Sequence, residues 1–267
     1  MKIRFMSLGS GSSGNCYYLG TETYGLFIDA GIGIRSIKKI CKEYNLPLET
    51  IKGVFVTHDH ADHIKAVGHL AGKYNIPIYT TPEIHRGMSR SYCMTERISE
   101  ANTRFIHKEE SLQIEDFTIT CFEVPHDGSD NVGYCISIDG KVFSFLTDIG
   151  HITETAGKYI GCANYLILEA NYDESMLQMG PYPAHLKARI ASPTGHMSNR
   201  EMAEYLANHF PESLQYLWLC HLSKDNNHPD LAFKTVELAL KEKNIIVGRD
   251  VQVIPLKRTS PSEIYSL

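Results

Sequence analysis

No segment of the 267-residue chain approaches the run of about 18 apolar residues that a membrane-spanning helix needs. The opening MKIRFMSLGSGSSGN also lacks the apolar stretch of a secretion signal. A soluble, cytoplasmic protein with no membrane partner is therefore expected. The seven cysteines, Cys16, Cys41, Cys93, Cys121, Cys135, Cys162 and Cys220, are odd in number and never spaced Cys-x-x-Cys, which argues against a disulfide framework or a zinc ribbon. Reduced core thiols are expected instead. A formal net charge of −5 carries no global basic signature, so tight grip on nucleic acid by charge alone is not indicated. A local basic patch or a bound metal can still attract an anion. No repeat, low-complexity tract or linker interrupts the chain, and 43% hydrophobic residues suffice for a large core. One domain over residues 1–267 is the simplest organisation.

Short β-like runs alternate with amphipathic segments. KIRFMSL, CYYLGT, YGLFIDA and KGVFVTH read as strands, with a helix near Ile34 to Tyr44 and another from about Asp62 to Tyr74. IPIYTT precedes a helix opened by Pro82. LQIEDFTITCFEV and YCISIDGKVFSFLTD read as paired strands, the second turning at Asp139-Gly140. In the second half YLILEA and LQYLWLCHL are buried strands, and Ser198 with Glu201 three residues on forms a capping signal. Phe233, Val236 and Leu240 line one face of a late helix. Strands in both halves with helices between them predict two packed sheets covered outside by helices.

Gly9, Gly11 and Gly14 match Gly-x-Gly-x-x-Gly, but a dinucleotide site needs that loop to open a helix, and here the strand-like NCYYLGT follows. A tight turn between two strands is the better reading, and its serines can still line the rim of a site. VTHDHADHIK is far more specific. It crowds His58, His60, Asp62 and His63 into six residues behind an apolar run, a spacing that suits a strand end turning into a helix. His58 and His60 can then face one metal position, and Asp62 and His63 a second. A dication makes the crowding tolerable by neutralising Asp62 and taking the imidazole lone pairs.

Further ligands are expected at other strand ends, where polar groups sit on a rigid sheet. His126 follows CFEV, Asp148 closes VFSFLTD and His221 closes YLWLCH. His69, His85, His107, His151, His185, His209 and His228 have no such placement and read as surface or core residues.

With these residues in place the chain resembles the metallo-β-lactamase-fold hydrolases. Their five ordered motifs correspond to Asp29 in LFIDAG, HDHADH, His126, Asp148 and His221. GSGSSGNCYY, EANYD, GHMSN and CHLSKDNN look like the YycJ/WalJ-type bacterial proteins, a subfamily associated with 5′-to-3′ DNA exonuclease activity. The resemblance implies an α/β fold, an αββα sandwich of two mixed β-sheets covered by helices, and a two-metal site. It places His58, His60 and His126 on one ion, Asp62, His63 and His221 on the other, Asp148 between them, and Asp29 behind the ligands as their orienting group.

Asp at position 148 resembles the dinuclear hydrolases, and His60, where oxygen-reducing relatives carry Glu, favours two zinc or manganese ions over di-iron. Two such ions about 3.5–4 Å apart can hold a hydroxide and clamp an in-line phosphoryl displacement. The leaving alkoxide needs a proton donor, and Glu169 with His196 resembles the Glu and His of transfer-RNA-processing relatives. The expectation is a phosphodiesterase, an exonuclease whose partner is DNA, with Asp62, Glu169 and His196 in catalysis. Arg35, Lys38, Lys39, Lys187, Arg189, Arg200 and Lys224 can supply phosphate contacts. Two alternatives use the same metal nest: a small-molecule hydrolase of the thioesterase or lactonase type, and a metal-bound regulatory module without turnover.

Overall fold

The run KGVFV carries apolar side chains on consecutive positions rather than alternate ones, the pattern of a strand covered on both faces. In the computed structural model, which describes residues 1–267, it forms a strand over Ile51–Phe55 with parallel neighbours on either side. Burying each of Val54, Phe55 and Val56, all fully buried, contributes about 1.5–3 kcal/mol.

The chain divides into two compact units. Unit 1 comprises Met1–His107, Gly128–Asp130 and Lys257–Leu267. Its strands are β1 (Arg4–Gly9), β2 (Cys16–Gly20), β3 (Gly25–Ile28), β4 (Ile51–Phe55), β5 (Ile78–Thr80) and β6 (Thr103–Phe105). They lie side by side in that order in a mixed seven-stranded sheet, which the pair Tyr265–Ser266 completes beyond β1. Antiparallel pairing from β1 to β3 gives way to parallel pairing from β3 to β6. Helix α1 spans Ile34–Glu43, close to the predicted span.

The single helix expected over Asp62 to Tyr74 is instead two, α2 (Ala61–Ile64) and α3 (Val67–Tyr74). The break has a local cause: Ala30 donates its N–H to the His63 carbonyl at 2.8 Å and accepts from the Ala66 N–H at 2.8 Å. Hydrogen bonds that would continue the helix go to the loop after β3 instead. Pro82 opens helix α4 (Pro82–Arg90) as predicted, with Thr81 as its cap.

Unit 2 comprises Lys108–Asp127 and Asn131–Leu256. Its seven strands are β7 (Ser111–Ile114), β8 (Phe117–Glu123), β9 (Val132–Ile138), β10 (Lys141–Leu146), β11 (Tyr165–Glu169), β12 (Tyr216–Cys220) and β13 (Gln252–Pro255). They too run side by side in chain order, antiparallel up to β10 and parallel from β10 to β13. The β9–β10 hairpin turns on Asp139 and Gly140, with φ of 51° and 73°. Both central residues of this tight turn are left-handed, which Asp-Gly tolerates.

Helices α5 (Glu154–Gly161), α6 (Glu174–Met179), α7 (Ala184–Ile190), α8 (Asn199–Asn208) and α9 (Pro229–Glu242) complete unit 2. Ser198 and Glu201 form the predicted capping box at the start of α8. Met202 and Leu206 of α8 and Val236 and Leu240 of α9 join Leu166, Leu168, Leu217 and Leu219 in one buried core. The edge strands β6 and β13 carry no alternation strong enough to be read from sequence. No helix is long and apolar enough to cross a membrane.

Candidate metal centre

In unit 1 the polar cluster stands where β3 and β4 end. Asp29, one residue past β3, adopts φ of 58°, a left-handed conformation that non-glycine residues reach only at a cost of about 1–3 kcal/mol. That turn aims a fully buried carboxylate at three donors. The Thr57 N–H reaches Asp29 Oδ1 at 2.8 Å, the Thr57 hydroxyl donates to Oδ2 at 2.9 Å, and His63 Nδ1 lies 2.7 Å from Oδ2. Burial pushes the Asp29 carboxyl up, while His63 and Thr57 pull the other way.

With its Nδ1–H donated to Asp29, His63 keeps a lone pair on Nε2. The Asn15 side-chain amide, which donates to Nε2 at 3.0 Å, agrees with that tautomer. Asp62 Oδ2 lies 3.7 Å from the same nitrogen, a second donor atom beside it. The His58 ring centre is 4.0 Å from that of His63 and 4.6 Å from that of His60. His58 and His63 are buried, whereas His60 and Asp62 are partly exposed. Gly31 makes the close approach possible: a Cβ there would meet the Asp62 carbonyl oxygen at 1.6 Å. Asp59, the other carboxylate of the motif, bonds Ser129 through both the N–H (3.0 Å) and the hydroxyl (2.5 Å), so it ties down a loop.

In unit 2 the polar residues follow the ends of three adjacent parallel strands. Asp148 lies just beyond β10, Glu169 ends β11 and His221 follows β12, and the register pairs Glu169 with Cys220. Glu169 is fully buried and its hydrogen bonds are well filled. Oε1 accepts from His196 Nδ1 at 2.7 Å and from His221 Nδ1 at 2.9 Å, while Oε2 accepts from the N–H of Ile149 at 2.9 Å and of Met197 at 3.3 Å. Burial opposes its charge, yet the imidazoles facing it hold Glu169 below the usual carboxylate range. Burial also opposes charge on His196, but Glu169 raises it above the usual imidazole range.

Asp148 Oδ1 lies 3.1 Å from His221 Nδ1, 3.7 Å from His196 Nδ1 and 3.8 Å from His126 Nε2. Ligand-type atoms of Asp148, Glu169, His196 and His221 all fall within 4.8 Å of one another. His126 donates its Nδ1–H to the Gly195 carbonyl at 2.7 Å, leaving Nε2 as its ligand atom, and burial lowers its basicity. His221 repeats the conformation of Asp29 with φ of 52°, and Asn171 fixes it by donating to its carbonyl at 2.8 Å. The donor sets are imidazole and carboxylate, in part buried and oriented by carboxylates or carbonyls behind them. This is the chemistry that suits a divalent cation such as zinc.

The structure thus gathers Asp29, His58, His60, Asp62 and His63 in unit 1, and His126, Asp148, Glu169, His196 and His221 in unit 2. Of the basic candidates, Arg189 pairs with Asp127 at 2.6 Å, Arg200 bonds Glu174 at 3.1 Å, and Lys187 reaches the Gln178 carbonyl at 2.7 Å. Arg35, Lys38, Lys39 and Lys224 are exposed. Sequence reading missed Asn15, Thr57 and Asn171, and it missed the contact of Glu169 with His221. Asn15 lies in the glycine loop and Thr57 directly precedes His58, so proximity in sequence was the one available signal. The Gly195 carbonyl leaves no side-chain signal at all.

A family model described as the beta-lactamase superfamily domain matches residues 25–217. The chain belongs to that superfamily. It is 32% identical over 265 residues to the exodeoxyribonuclease YycJ of Bacillus anthracis, covering 99% of each chain. It is likewise 32% identical over 251 residues to the exodeoxyribonuclease WalJ of Streptococcus pneumoniae, covering 94% of this chain and 93% of the relative. Among solved structures, the metallo-beta-lactamase fold protein YhfI of Bacillus subtilis superposes with a TM-score of 0.70 at 19% identity, covering 100% of this chain and 99% of its own. Two mixed sheets flanked by helices are the metallo-β-lactamase fold. Family and donor clusters together make this chain a metal-dependent hydrolase that binds divalent cations.

Proposed function

We propose that the chain is a cytoplasmic phosphodiesterase that removes nucleotides from DNA in the 5′-to-3′ direction. The observation that carries this reading is the pair formed by buried Glu169 and part-buried His196 beside Asp148 and His221. A hydrolase of thioesters, whose thiolate leaving group is stable near neutral pH, has no need of such a proton donor. The names of the YycJ and WalJ relatives add support for DNA as substrate.

By donor chemistry and family membership we assign His58, His60 and His126 to one divalent ion and Asp62, His63 and His221 to a second, with Asp148 shared and residues 1–267 acting as one catalytic domain. Zinc and manganese suit these ligands. When bound, the ions supply Lewis-acid chemistry, polarising water and the phosphoryl oxygens. The chain's own residues do the rest. Asp29 holds the Nδ1 proton of His63, and the Gly195 carbonyl holds that of His126, so each ring presents Nε2. Glu169 accepts a hydrogen bond from the Nδ1–H of His196 and favours its cationic form, so Nε2–H is the proton passed to the departing sugar oxygen.

Metal-reconstituted protein should be incubated with end-labelled single- and double-stranded DNA and RNA carrying 5′-phosphate or 5′-hydroxyl ends. Mononucleotides released from the 5′ end of DNA are expected. Turnover of thioesters or lactones alone would replace this reading with a small-molecule hydrolase, and binding of metal without any turnover would replace it with a regulatory module.

A further inference from the structure

Strand β9 places Cys135 directly opposite Ser144 of β10 and Thr120 of β8. Residues paired across antiparallel strands point to the same face of the sheet. Helix α5 lies over that face, held by the Tyr159 ring stacked on Phe122 at 4.1 Å between centres. The Tyr159 carbonyl accepts from the Ser144 hydroxyl at 2.7 Å and from the Cys162 thiol at 3.4 Å. Cys162, at the C-terminal cap of α5, thus shares the Tyr159 carbonyl with Ser144, the residue directly opposite Cys135, which makes the two cysteines neighbours between helix and sheet. Cys162 is exposed and Cys135 half-buried, the arrangement of a reactive thiol with a resolving partner behind it.

We propose that Cys135 and Cys162 form a peroxide-sensitive dithiol that closes to an intrachain disulfide. The co-reactant is a hydroperoxide. The Cys162 thiolate attacks its outer oxygen, the O–O bond breaks, and the departing alkoxide or hydroxide takes a proton, leaving Cys162 as sulfenic acid. The Cys135 sulfur then attacks the Cys162 sulfur, the S–O bond breaks, and water leaves with the Cys135 proton. Two thiols and one hydroperoxide thus give one disulfide, one alcohol or water from the hydroperoxide, and one further water.

Electrostatics favours this order of events. The neighbouring Cys135 thiol lowers the Cys162 thiol to about 7, with nearby Lys158 helping, whereas Cys162 and burial push Cys135 up. Cys162 is thus the attacking sulfur. Of the other cysteines, Cys16, Cys41, Cys121 and Cys220 are buried. The segment between Cys135 and Cys162 carries β10 and Asp148, so the disulfide closes a loop around one of the strand-end carboxylates.

The test treats the full-length protein with stoichiometric hydrogen peroxide at neutral pH, alkylates the remaining thiols, and maps the peptides without reduction. A joined peptide containing Cys135 and Cys162, reversed by dithiothreitol, is expected. In Cys135→Ala, Cys162 should instead accumulate as sulfenic acid trapped by dimedone, and its alkylation at pH 7 should slow by about tenfold. Cys135→Ser, which restores a donor at that place, should recover part of that rate without forming the disulfide. The proposal is overturned if Cys162 runs on to sulfinic acid while Cys135 stays alkylatable, or if Cys162 pairs with another cysteine or another molecule.

Discussion

At the scale of single residues, the division of labour rests on which nitrogen of each imidazole is spoken for. Glu169 shows this twice, because one oxygen holds both His196 and His221. Replacing His196 by Ala should leave metal content unchanged and cut turnover on DNA by about 10²–10⁴-fold. On a nitrophenyl phosphodiester, whose leaving group needs no proton, the same variant should be nearly normal. Equal losses on both substrates would rule out the proton-donor role. Glu169→Gln should combine a milder form of that selectivity with weaker metal binding, since it also releases His221. Asp29→Ala removes the acceptor of His63 and Thr57 and should weaken metal affinity about 10–100-fold, read by titration against a chelator. Full affinity in that variant would mean that His63 orients itself without Asp29.

Elements matter because they convert local sequence into positions. The functional groups follow strand ends, and the turns after β3 and β12 place Asp29 and His221 in left-handed conformations. The strain is retained because the surrounding hydrogen bonds over-determine it. Gly31 is a second such device, and Gly31→Ala cannot be accommodated unless the Asp62 turn shifts, since its Cβ would lie 1.6 Å from the Asp62 oxygen. That variant should lose about 1–3 kcal/mol of stability and also bind metal poorly, which thermal unfolding and elemental analysis would report. By contrast, Ser198→Ala, which removes a capping box, should cost about 0.5–2 kcal/mol. Unchanged unfolding would show that other contacts set the start of α8.

For the whole molecule, metal binding and folding should be linked, because preformed donor clusters bind cations that an unfolded chain holds poorly. Elemental analysis of purified protein should find close to two divalent ions. Chelation should lower the thermal midpoint, and free metal at about 100 times its dissociation constant should restore about 2.7 kcal/mol. Asp148→Ala is expected to disturb both ions and His126→Ala mainly one. Retention of both ions and full turnover by Asp148→Ala would remove the shared-ligand assignment. The sequence by itself determined which groups are available and roughly where they stand: apolar runs that end at His58, His126, Asp148, Glu169 and His221 mark strand ends, and this change from apolar to polar is a local signal. It also contained the capping box at Ser198 and the turn at Asp139-Gly140. Only the tertiary structure decided who donates to whom. Glu169 meets His196 across 27 residues and His221 across 52, and Asp29 meets His63 across 34. Such pairings depend on strand register and on backbone turned into left-handed conformations. So does the split of one predicted helix into α2 and α3, since its hydrogen bonds go to Ala30, a residue distant in sequence that periodicity cannot report.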